Sequence, residues 1–293
     1  MEIRVLRYFL MVVQQEGIHK AAEALHITQP TLSRQMSQLE EEVGAKLFAR
    51  GPRKITLTDE GRLLYRRAQE IVDLEERCRQ EIVEQNSLTE GHIVLGCAEM
   101  SAMKTIARLI ASFGTLYPNI TFDVITGAGD FIHDQLEKGL VDIGVAIEPI
   151  DVDRYEFIRM ENCETYSCLM RTDDPLAGRE RITGEDLKES ALIIPHRSSV
   201  QNQIINWLGS YYDADHIKFT INFSTNGALL VKEKLGKALV VEGSLPFLDH
   251  EELKFIPLDP PLSSSGMVIW KRSLPFGTAR KRFIDYLKEN LSS

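Results

Sequence analysis

A polar surface near the amino terminus carries side chains that bind other molecules through hydrogen bonds. At three- and four-residue spacing, one face of a predicted helix presents Thr31, Arg34, Gln35 and Gln38. Hydroxyl, guanidinium and amide groups of this kind contact base edges in the major groove of DNA. The pattern therefore favours a nucleic-acid-binding helix, and an ordinary solvated helix face is the alternative that the residues leave open.

A basic turn follows this helix. Residues 46–58 place two short apolar stretches on either side of a Gly-Pro turn. The turn carries three cations, which are Arg50, Arg53 and Lys54. The segment predicts a β-hairpin whose tip contacts DNA phosphates without reading the base sequence. A plain basic surface turn explains the residues equally well.

No motif of a common catalytic site occurs in the sequence. It has no P-loop, no GxGxxG after a strand, no HExxH and no GxSxG, and its seven histidines lack metal-ligand spacing. We therefore predict that the protein is not an enzyme and uses no cofactor or metal. Cys163 and Cys168 leave a redox sensor open as an alternative, although their odd spacing places them on opposite faces of one strand.

Charge is unevenly distributed along the 293 residues. The net charge is −9, but residues 1–58 carry eight basic and six acidic side chains, so the acidity belongs to the remainder. A mildly basic N-terminal segment followed by an acidic remainder suggests a DNA-binding domain joined to a domain with a second function. The sequence contains neither an apolar run of ~20 residues nor a secretory leader, and its scattered cysteines suit reduced thiols. We therefore expect a cytoplasmic protein without a membrane segment.

Helical periodicity explains how the polar face is positioned. Apolar residues at helical spacing predict a first helix that ends at Gly17 and a second helix over residues 19–25. Thr28 is a good N-cap and Pro30 suits a first turn, so a third helix is predicted to run to about Val43. Two helices joined by a tight turn, with the polar face on the second, can enter the major groove.

Residues 1–61 resemble the winged helix-turn-helix of LysR-type transcriptional regulators. The matching motifs are AAEALHITQPTLSRQ (21–35), LEEEVG (39–44), LFAR (47–50) and LTDEG (57–61). The resemblance implies contacts with double-stranded DNA by Gln29, Pro30, Thr31, Ser33, Arg34, Gln35, Gln38, Arg50, Arg53 and Lys54. The family usually has Ser or Thr as the cap of the second helix, where this chain has His19, so we expect a weaker cap.

A long linker helix is predicted over residues 59–88, with Thr58 as its N-cap. Its apolar stripe consists of Leu64, Ala68, Ile71, Leu74, Cys78 and Ile82. The stripe predicts a dimer seam with Cys78 buried in it, and packing onto its own domain is the alternative. The resemblance implies a homodimer, and further a homotetramer, on a palindromic operator, with RNA polymerase as an additional partner.

Residues 89–293 alternate predicted strands and helices, which favours a parallel sheet covered by helices. Residues 155–170 are predicted to form a pair of strands. With the resemblance, the fold class is α + α/β: a winged helix-turn-helix (1–58), a linker helix (59–88) and a two-lobed effector domain (89–293) like a periplasmic binding protein. Lobe I is expected to comprise about 89–161 and 266–293, and lobe II about 162–265.

Polar residues follow several predicted strands of this domain, where parallel sheets bind ligands. The predicted effector-binding residues are Glu99, Met100, Ser101, Gly127, Glu148, Arg197, Ser198, Ser199, Thr225 and Asn226. They predict a small-molecule effector, whose identity the sequence does not specify. His196 and Arg197 favour an anion, whereas Glu99 and Glu148 oppose one. Simple N-caps are the alternative explanation of Ser101, Ser199 and Thr225.

Overall fold

The computed structural model describes residues 1–50, 55–84, 90–272 and 277–291. They form two compact units, Met1–Val83 and Glu84–Ser293. Among the described residues, none of the helices has the length and apolar character needed to cross a membrane.

The first unit is a helix-turn-helix followed by a hairpin and a long helix. In chain order it contains α1 (Ile3–Gln14), α2 (Ile18–Ala24), α3 (Gln29–Val43), β1 (Phe48–Arg50), β2 (Ile55–Leu57) and α4 (Asp59–Glu84). The predicted start of α3 is confirmed, because the Thr28 hydroxyl accepts a hydrogen bond from the Thr31 amide at 3.4 Å. Gly44 ends α3 in the left-handed conformation, with φ of 75°, which glycine adopts without strain.

The predicted cap of α2 was wrong. Gly17 is the N-cap, without a side-chain hydrogen bond, and His19 lies one residue inside the helix. There the Nδ1 atom of His19 lies 3.5 Å from the Glu23 carboxylate, one turn further along. The helix therefore starts earlier than the sequence pattern suggested, and glycine provides the extended backbone at its start.

The apolar stripe of α4 divides into two faces. Ala68 and Val72 are buried in the core of the first unit, which also contains Phe9, Leu32 and Leu47. By contrast, Ile71, Leu74, Cys78 and Ile82 of the stripe are exposed, as is Leu63 beside it. Cys78 is thus exposed in the single chain, and its burial in a dimer seam stays a prediction. Packing onto its own domain accounts for one face of α4 and leaves a second apolar face uncovered.

The second unit begins with a parallel α/β layer, which we call lobe I. Its strands lie in the order β4-β3-β5. In chain order lobe I contains β3 (Glu90–Cys97), α5 (Ala102–Leu116), β4 (Asn119–Thr126), α6 (Gly129–Glu137) and β5 (Ile143–Ile147). The predicted β-α-β-α-β run is confirmed.

A single long strand, β6 (Tyr155–Arg171), then carries the chain away from lobe I. The predicted strand pair over 155–170 was therefore wrong. No turn interrupts the strand, because two sets of partners hold its two ends. The first part pairs with β11 (Ser263–Lys271), and the last part pairs with two strands of the other lobe.

Lobe II is the second α/β layer. It contains α7 (Gly184–Leu187), β7 (Leu192–Pro195), α8 (Ser198–Leu208), β8 (Ile217–Ile221), α9 (Ser224–Lys232), β9 (Lys237–Val241) and β10 (Leu253–Pro257). The sequence analysis did not predict α7 or β10. The chain returns through β11 and ends on α10 (Thr278–Leu291), which packs against lobe I. The predicted fold class, α + α/β with two lobes, is confirmed.

A buried ion pair fixes the returning helix α10. The Arg280 guanidinium lies 2.6 Å from the Asp142 carboxylate, and both side chains are almost fully buried. Asp142 also accepts a hydrogen bond from the Val94 amide at 2.8 Å. Aromatic packing of Phe283 on Phe113, with ring centroids 4.9 Å apart, completes the seam.

We expect Arg280→Ala to destabilise the second unit strongly, because it leaves the Asp142 carboxylate buried without its cation. Loss of one partner of a buried pair costs about 3–5 kcal/mol. Urea unfolding followed by circular dichroism measures the change, and Lys281→Ala, an exposed neighbour on the same helix, is the matched control. An equal midpoint for the two variants would contradict the assigned role of the pair.

Candidate DNA interface and ligand cleft

The recognition surface lies on α3. Gln29, Pro30, Thr31, Arg34 and Gln38 are exposed. On the other side of the helix, the unit's core buries Leu32, Met36 and Leu39. The structure thus gives α3 one free polar side, as its residue pattern indicates.

Hydrogen bonds along α3 order part of this surface. The Gln35 amide donates to the Gln38 amide oxygen at 3.1 Å, and the hydroxyls of Thr28 and Thr31 lie 2.8 Å apart. Gln35 and Ser33 are half-buried, and Ser33 lies next to the buried side of the helix. Of the predicted contact residues on α3, Ser33 is therefore the one placed least favourably for a base.

The predicted hairpin is present as the antiparallel pair β1–β2, with Phe48 opposite Leu57. Arg50 ends β1, and only its backbone is described. Arg53 and Lys54, the other predicted phosphate contacts, lie outside the described residues. The structure thus places the strands of the wing but not its cationic side chains.

Glu40 anchors the wing to α3, a role that the sequence analysis missed. Its Oε1 atom accepts hydrogen bonds from the amides of Leu47 at 2.9 Å and Phe48 at 3.3 Å. Its other oxygen accepts one from the Lys46 ammonium at 2.6 Å. Burial opposes ionisation, but these hydrogen bonds outweigh it and hold the pKa of Glu40 below its usual value.

The start of α4 closes the base of the wing from the other side. The Thr58 hydroxyl donates to the Lys46 carbonyl at 2.6 Å and accepts from the Gly61 amide at 2.9 Å. A Cβ atom on Gly61 would lie 2.1 Å from the Leu47 carbonyl oxygen, so only glycine permits this approach. The wing is thus held between α3 and α4.

A second candidate site is a cavity of about 140 Å³ between the two lobes. Of the predicted effector-binding residues, the cavity brings together Glu99, Met100, Gly127 and Arg197. Thr225 lines an adjoining pocket that shares Glu99 and Met100 with the cavity. We call the first space the cleft cavity and the second the side pocket.

The other predicted effector residues line neither space. Ser101 donates its hydroxyl proton to Glu164 at 2.7 Å, and Glu148 is paired with Arg159. Ser198, Ser199 and Asn226 lie in the first turns of α8 and α9. The Ser199 hydroxyl is buried without a hydrogen-bond partner among the described residues.

The N-cap alternative is not observed for these hydroxyl residues. Ser101 occupies the N-cap position of α5 but makes no side-chain cap hydrogen bond. Ser199 and Thr225 lie inside α8 and α9, one residue after each helix begins. These side chains are therefore available for other contacts, of which the structure shows Ser101 with Glu164 and Thr225 with Glu99.

Three helices begin at the cleft cavity without side-chain caps. The N-cap residues of α6, α8 and α9 are Ala128, Arg197 and Phe223, and none caps its own helix through its side chain. By contrast, the Thr28 and Thr183 side chains cap helices elsewhere in the chain. First-turn amide groups and the positive end of the helix dipole make such starts suitable for anions.

Arg197 connects lobe II to lobe I. Its guanidinium donates to the Pro149 carbonyl at 3.1 Å and pairs with the Asp130 carboxylate at 3.3 Å. A weaker contact reaches the Ile147 carbonyl at 3.5 Å. With its side chain only 17% exposed, Arg197 acts as a link between the lobes and contributes positive charge to the cavity wall.

Tyr166 is a cavity residue that the sequence analysis missed. It lies on the crossing strand β6, is 1% exposed and lines the cleft cavity. Its hydroxyl makes no hydrogen bond of standard geometry among the described residues, and its one side-chain neighbour of suitable chemistry is the Ser264 hydroxyl. Burial raises the pKa of this phenol to about 12, so at neutral pH it is a proton donor available to an acceptor.

The two cysteines of the redox alternative have different surroundings. Cys163 is exposed, whereas Cys168 is buried and burial raises the pKa of its thiol to about 12. Both are free thiols. Their placement on opposite sides of β6 agrees with the odd spacing.

Comparisons with known proteins cover the whole chain. Residues 3–62 match the model of the bacterial regulatory helix-turn-helix protein, lysR family, and residues 86–292 match the LysR substrate binding domain. The chain is 28% identical over 293 residues to the uncharacterized HTH-type transcriptional regulator YwbI of Bacillus subtilis (strain 168), covering 99% of this chain and 97% of the relative. It is 26% identical to YtlI of the same organism, covering 97% and 92%.

Solved structures share the fold. CbnR, a LysR family transcriptional regulator, matches with a TM-score of 0.74 at 19% identity and covers 100% of both chains. Full-length CbnR in complex with its target DNA matches with a TM-score of 0.73 at 18% identity, covering 99% of each chain. A full-length OxyR variant from Pseudomonas aeruginosa matches with a TM-score of 0.58 at 20% identity, again covering 99% of each.

We expect Glu40→Ala to lower the melting temperature at pH 7 and to loosen the wing. Two backbone amides and one ammonium lose their acceptor, which costs about 1–3 kcal/mol. Because the folded pKa of Glu40 is lowered, this stabilisation is present above about pH 4.5 and is lost as the pH falls below it.

Thermal melting between about pH 3 and pH 7 tests this prediction, because the folded-state pKa lies below 4.5, with Glu41→Ala, an exposed neighbour, as the control. The difference between the chain and its Glu40→Ala variant should shrink towards the acid end. A difference that stays constant with pH would show that the ionised carboxylate does not hold the wing.

Proposed function

The chain belongs to the LysR family of bacterial transcriptional regulators, and from this premise we propose how its two sites work together. As a family member it is a DNA-binding transcriptional regulator with a LysR substrate-binding domain. Its named relatives are transcriptional regulators rather than enzymes. Because a DNA-binding regulator acts where the DNA is, we propose that it acts in the cytoplasm.

Sequence-specific binding is assigned to the exposed side of α3. The observation that carries this proposal is the free row of hydrogen-bonding groups from Gln29 to Gln38, backed by a fully apolar opposite side. A helix with this division enters the major groove with its first turns against the bases. Arg34 supplies a two-pronged donor for a guanine edge or a phosphate, and the wing cations bind phosphates.

We propose that α4 forms the interface of a homodimer that binds a palindromic operator. Four large apolar side chains, Leu63, Ile71, Leu74 and Ile82, are exposed along one side of this 26-residue helix. Burying them against a second copy of α4 removes that apolar area from water. Two recognition helices related by a twofold axis then read two half-sites. Pairing of dimers into tetramers, and contact with RNA polymerase, are proposed from the family alone.

The effector is proposed to be a small molecule with an anionic group, bound in the cleft cavity. Its volume of about 140 Å³ is close to that of an engineered protein cavity of ~150 Å³ that accepts benzene. The uncapped starts of α6, α8 and α9 and the free Tyr166 hydroxyl provide donors for an anion. Because Arg197 already links the lobes, a ligand beside it changes how the lobes are held together.

Redox sensing through Cys163 and Cys168 has less support. An OxyR protein shares the fold, but at 20% identity it supports the fold alone. Burial keeps Cys168 as a thiol, and the thiolate is the form that reacts with oxidants and disulfides. We therefore place control of the protein in the cleft cavity.

Arg34→Ala is expected to weaken operator binding by more than ~10-fold, since it removes a bidentate contact while leaving the buried side of α3 intact. Operator sequences are first selected from a genomic DNA library with the full-length protein, and gel shifts then compare the variants. Arg66→Ala, an exposed arginine on α4, is the control. Unchanged retardation by the Arg34 variant would remove α3 from the proposed interface.

Leu74→Glu is expected to shift the protein from dimer towards monomer, because a charge buried in an apolar seam loses its hydration. Light scattering coupled to gel filtration measures the mass. Gln69→Glu adds the same charge to α4 away from the exposed apolar side and should leave the mass unchanged. If Leu74→Glu also keeps the mass of the dimer, the seam lies elsewhere.

A further inference from the structure

The cleft cavity has a negative wall opposite its positive one. We propose that the effector is a free α-amino acid with an apolar side chain, whose ammonium group binds Glu99 and whose carboxylate binds the helix starts. This inference rests on the proposed function, since it names the class of effector for the same cavity. It also extends the site to the side pocket.

Glu99 defines the negative wall. Its carboxylate is half-buried and accepts a hydrogen bond from the Thr225 hydroxyl at 3.3 Å. Within the described parts of the chain, no lysine or arginine pairs with it. A partly desolvated carboxylate without a cation favours a ligand that brings one, and an ammonium group satisfies it with charge-assisted hydrogen bonds.

Glu148, the second acid that the sequence counts against an anionic ligand, does not line the cavity. Glu148 is paired with Arg159 and lines neither the cleft cavity nor the side pocket. In the sequence, Glu99 and Glu148 count equally against an anionic ligand. In the structure, Glu99 lines the cavity and Glu148 does not. Of these two acids only Glu99 lines the cavity, so the ligand has to supply one positive group to pair with it.

The positive wall lies around the starts of α6 and α8. Arg197 approaches the first turn of α6 so closely that a Cβ atom on Gly129 would lie 3.1 Å from its Nη1 atom. Asp130 offsets one charge, at 3.3 Å from the guanidinium. The two helix starts, His196 and the Tyr166 hydroxyl remain on the cavity lining. Together they suit a carboxylate.

Both walls line one cavity of about 140 Å³, so a single small molecule spans them. An α-amino acid carries its two charged groups on one carbon, which suits so short a span. A simple carboxylate leaves Glu99 unmatched, and a simple amine leaves the helix starts unmatched. Thr225 belongs to lobe II and Glu99 to lobe I, so an ammonium group at Glu99 also strengthens contact between the lobes.

The side pocket provides room for the side chain. It adjoins the cleft cavity at Glu99 and Met100, and the rest of its lining is mainly apolar, including Cys97, Met103, Leu245, Pro246 and Phe247. The Phe247 ring is 98% exposed, which leaves a large apolar surface without protein contact at the pocket. Because the two spaces share Glu99 and Met100 in their linings, an apolar side chain of a ligand bound at Glu99 can cover this ring.

The test uses the full-length protein with the twenty common L-amino acids in thermal shift assays, followed by calorimetry. Each amino acid that binds is compared with its analogues lacking one charge. For leucine these are 4-methylpentanoate, 3-methylbutylamine and 2-hydroxy-4-methylpentanoate. We expect at least one amino acid with an apolar side chain to bind. Each analogue should bind more than ~10-fold more weakly than the amino acid itself. The Glu99→Gln variant should bind the amino acid more than ~10-fold more weakly than the unchanged chain does.

Two further variants separate the parts of the site. Phe247→Ala should weaken binding of amino acids with long apolar side chains and leave alanine unaffected. Glu161→Gln, an exposed acid on β6, is the control and should bind as the unchanged chain does. Tyr166→Phe should weaken binding of amino acids and simple carboxylates alike, because it removes the hydroxyl donor from the cavity lining.

The outcomes distinguish the two levels of the proposal. If 4-methylpentanoate binds as tightly as leucine, or if Glu99→Gln binds as tightly as the unchanged chain, the amino-acid inference is overturned and the anionic effector stands. The inference also fails if carboxylates bind and none of the amino acids does. If neither amino acids nor carboxylates shift the melting temperature, the proposed effector site fails as well.

Discussion

Continuous pairing between β6 and β11 is the interaction on which the second unit depends. The two strands pair antiparallel over Tyr155 to Thr165 of β6, with a register shift between Ser265 and Met267, and the last part of β6 pairs with β9 and β10 of lobe II. A bulge bends a strand pair while keeping most of its hydrogen bonds. The lobes are therefore connected both by the covalent chain and by strand pairing, and the cleft cavity lies between them.

Polar groups around this crossing differ in how well they are hydrogen-bonded. Glu164 on β6 is almost fully buried, yet it accepts hydrogen bonds from the Ser101 hydroxyl and the Ala102 amide, at 2.7 and 2.8 Å. It therefore caps the start of α5 from another strand. A Cβ on Gly243 would lie 2.3 Å from the Ser101 amide nitrogen, so glycine lets a lobe II loop close over this contact. The helices α6, α8 and α9, which begin at the cavity, have no side-chain caps, so their first-turn amides are the donors that the proposed effector would use.

The features that could be predicted from the sequence depend on local rules. The N-cap at Thr28, the proline after it and the apolar spacing of α3 act within one or two turns, so the recognition helix was predictable. The missed features join distant parts of the chain. Glu40 meets amides seven and eight residues away across a turn, and Tyr166 reaches the cavity because β6 is one uninterrupted strand. Glu99 and Glu148 look alike in sequence, and only tertiary contacts assign them to different surroundings.

Charge is divided between the two units in a way that the net value of −9 conceals. The first 58 residues are only slightly basic. One of their cations, Lys46, is already paired with the Glu40 carboxylate within the unit. Each DNA reader therefore contributes few free cations, so phosphate contacts from one copy give weak binding. In the proposed dimer, a second copy held by the exposed side of α4 would add its contacts at high effective concentration. Affinity would then depend on the spacing of the two DNA-binding domains, so a change in the effector domains would alter DNA binding, typically by ~1–3 kcal/mol.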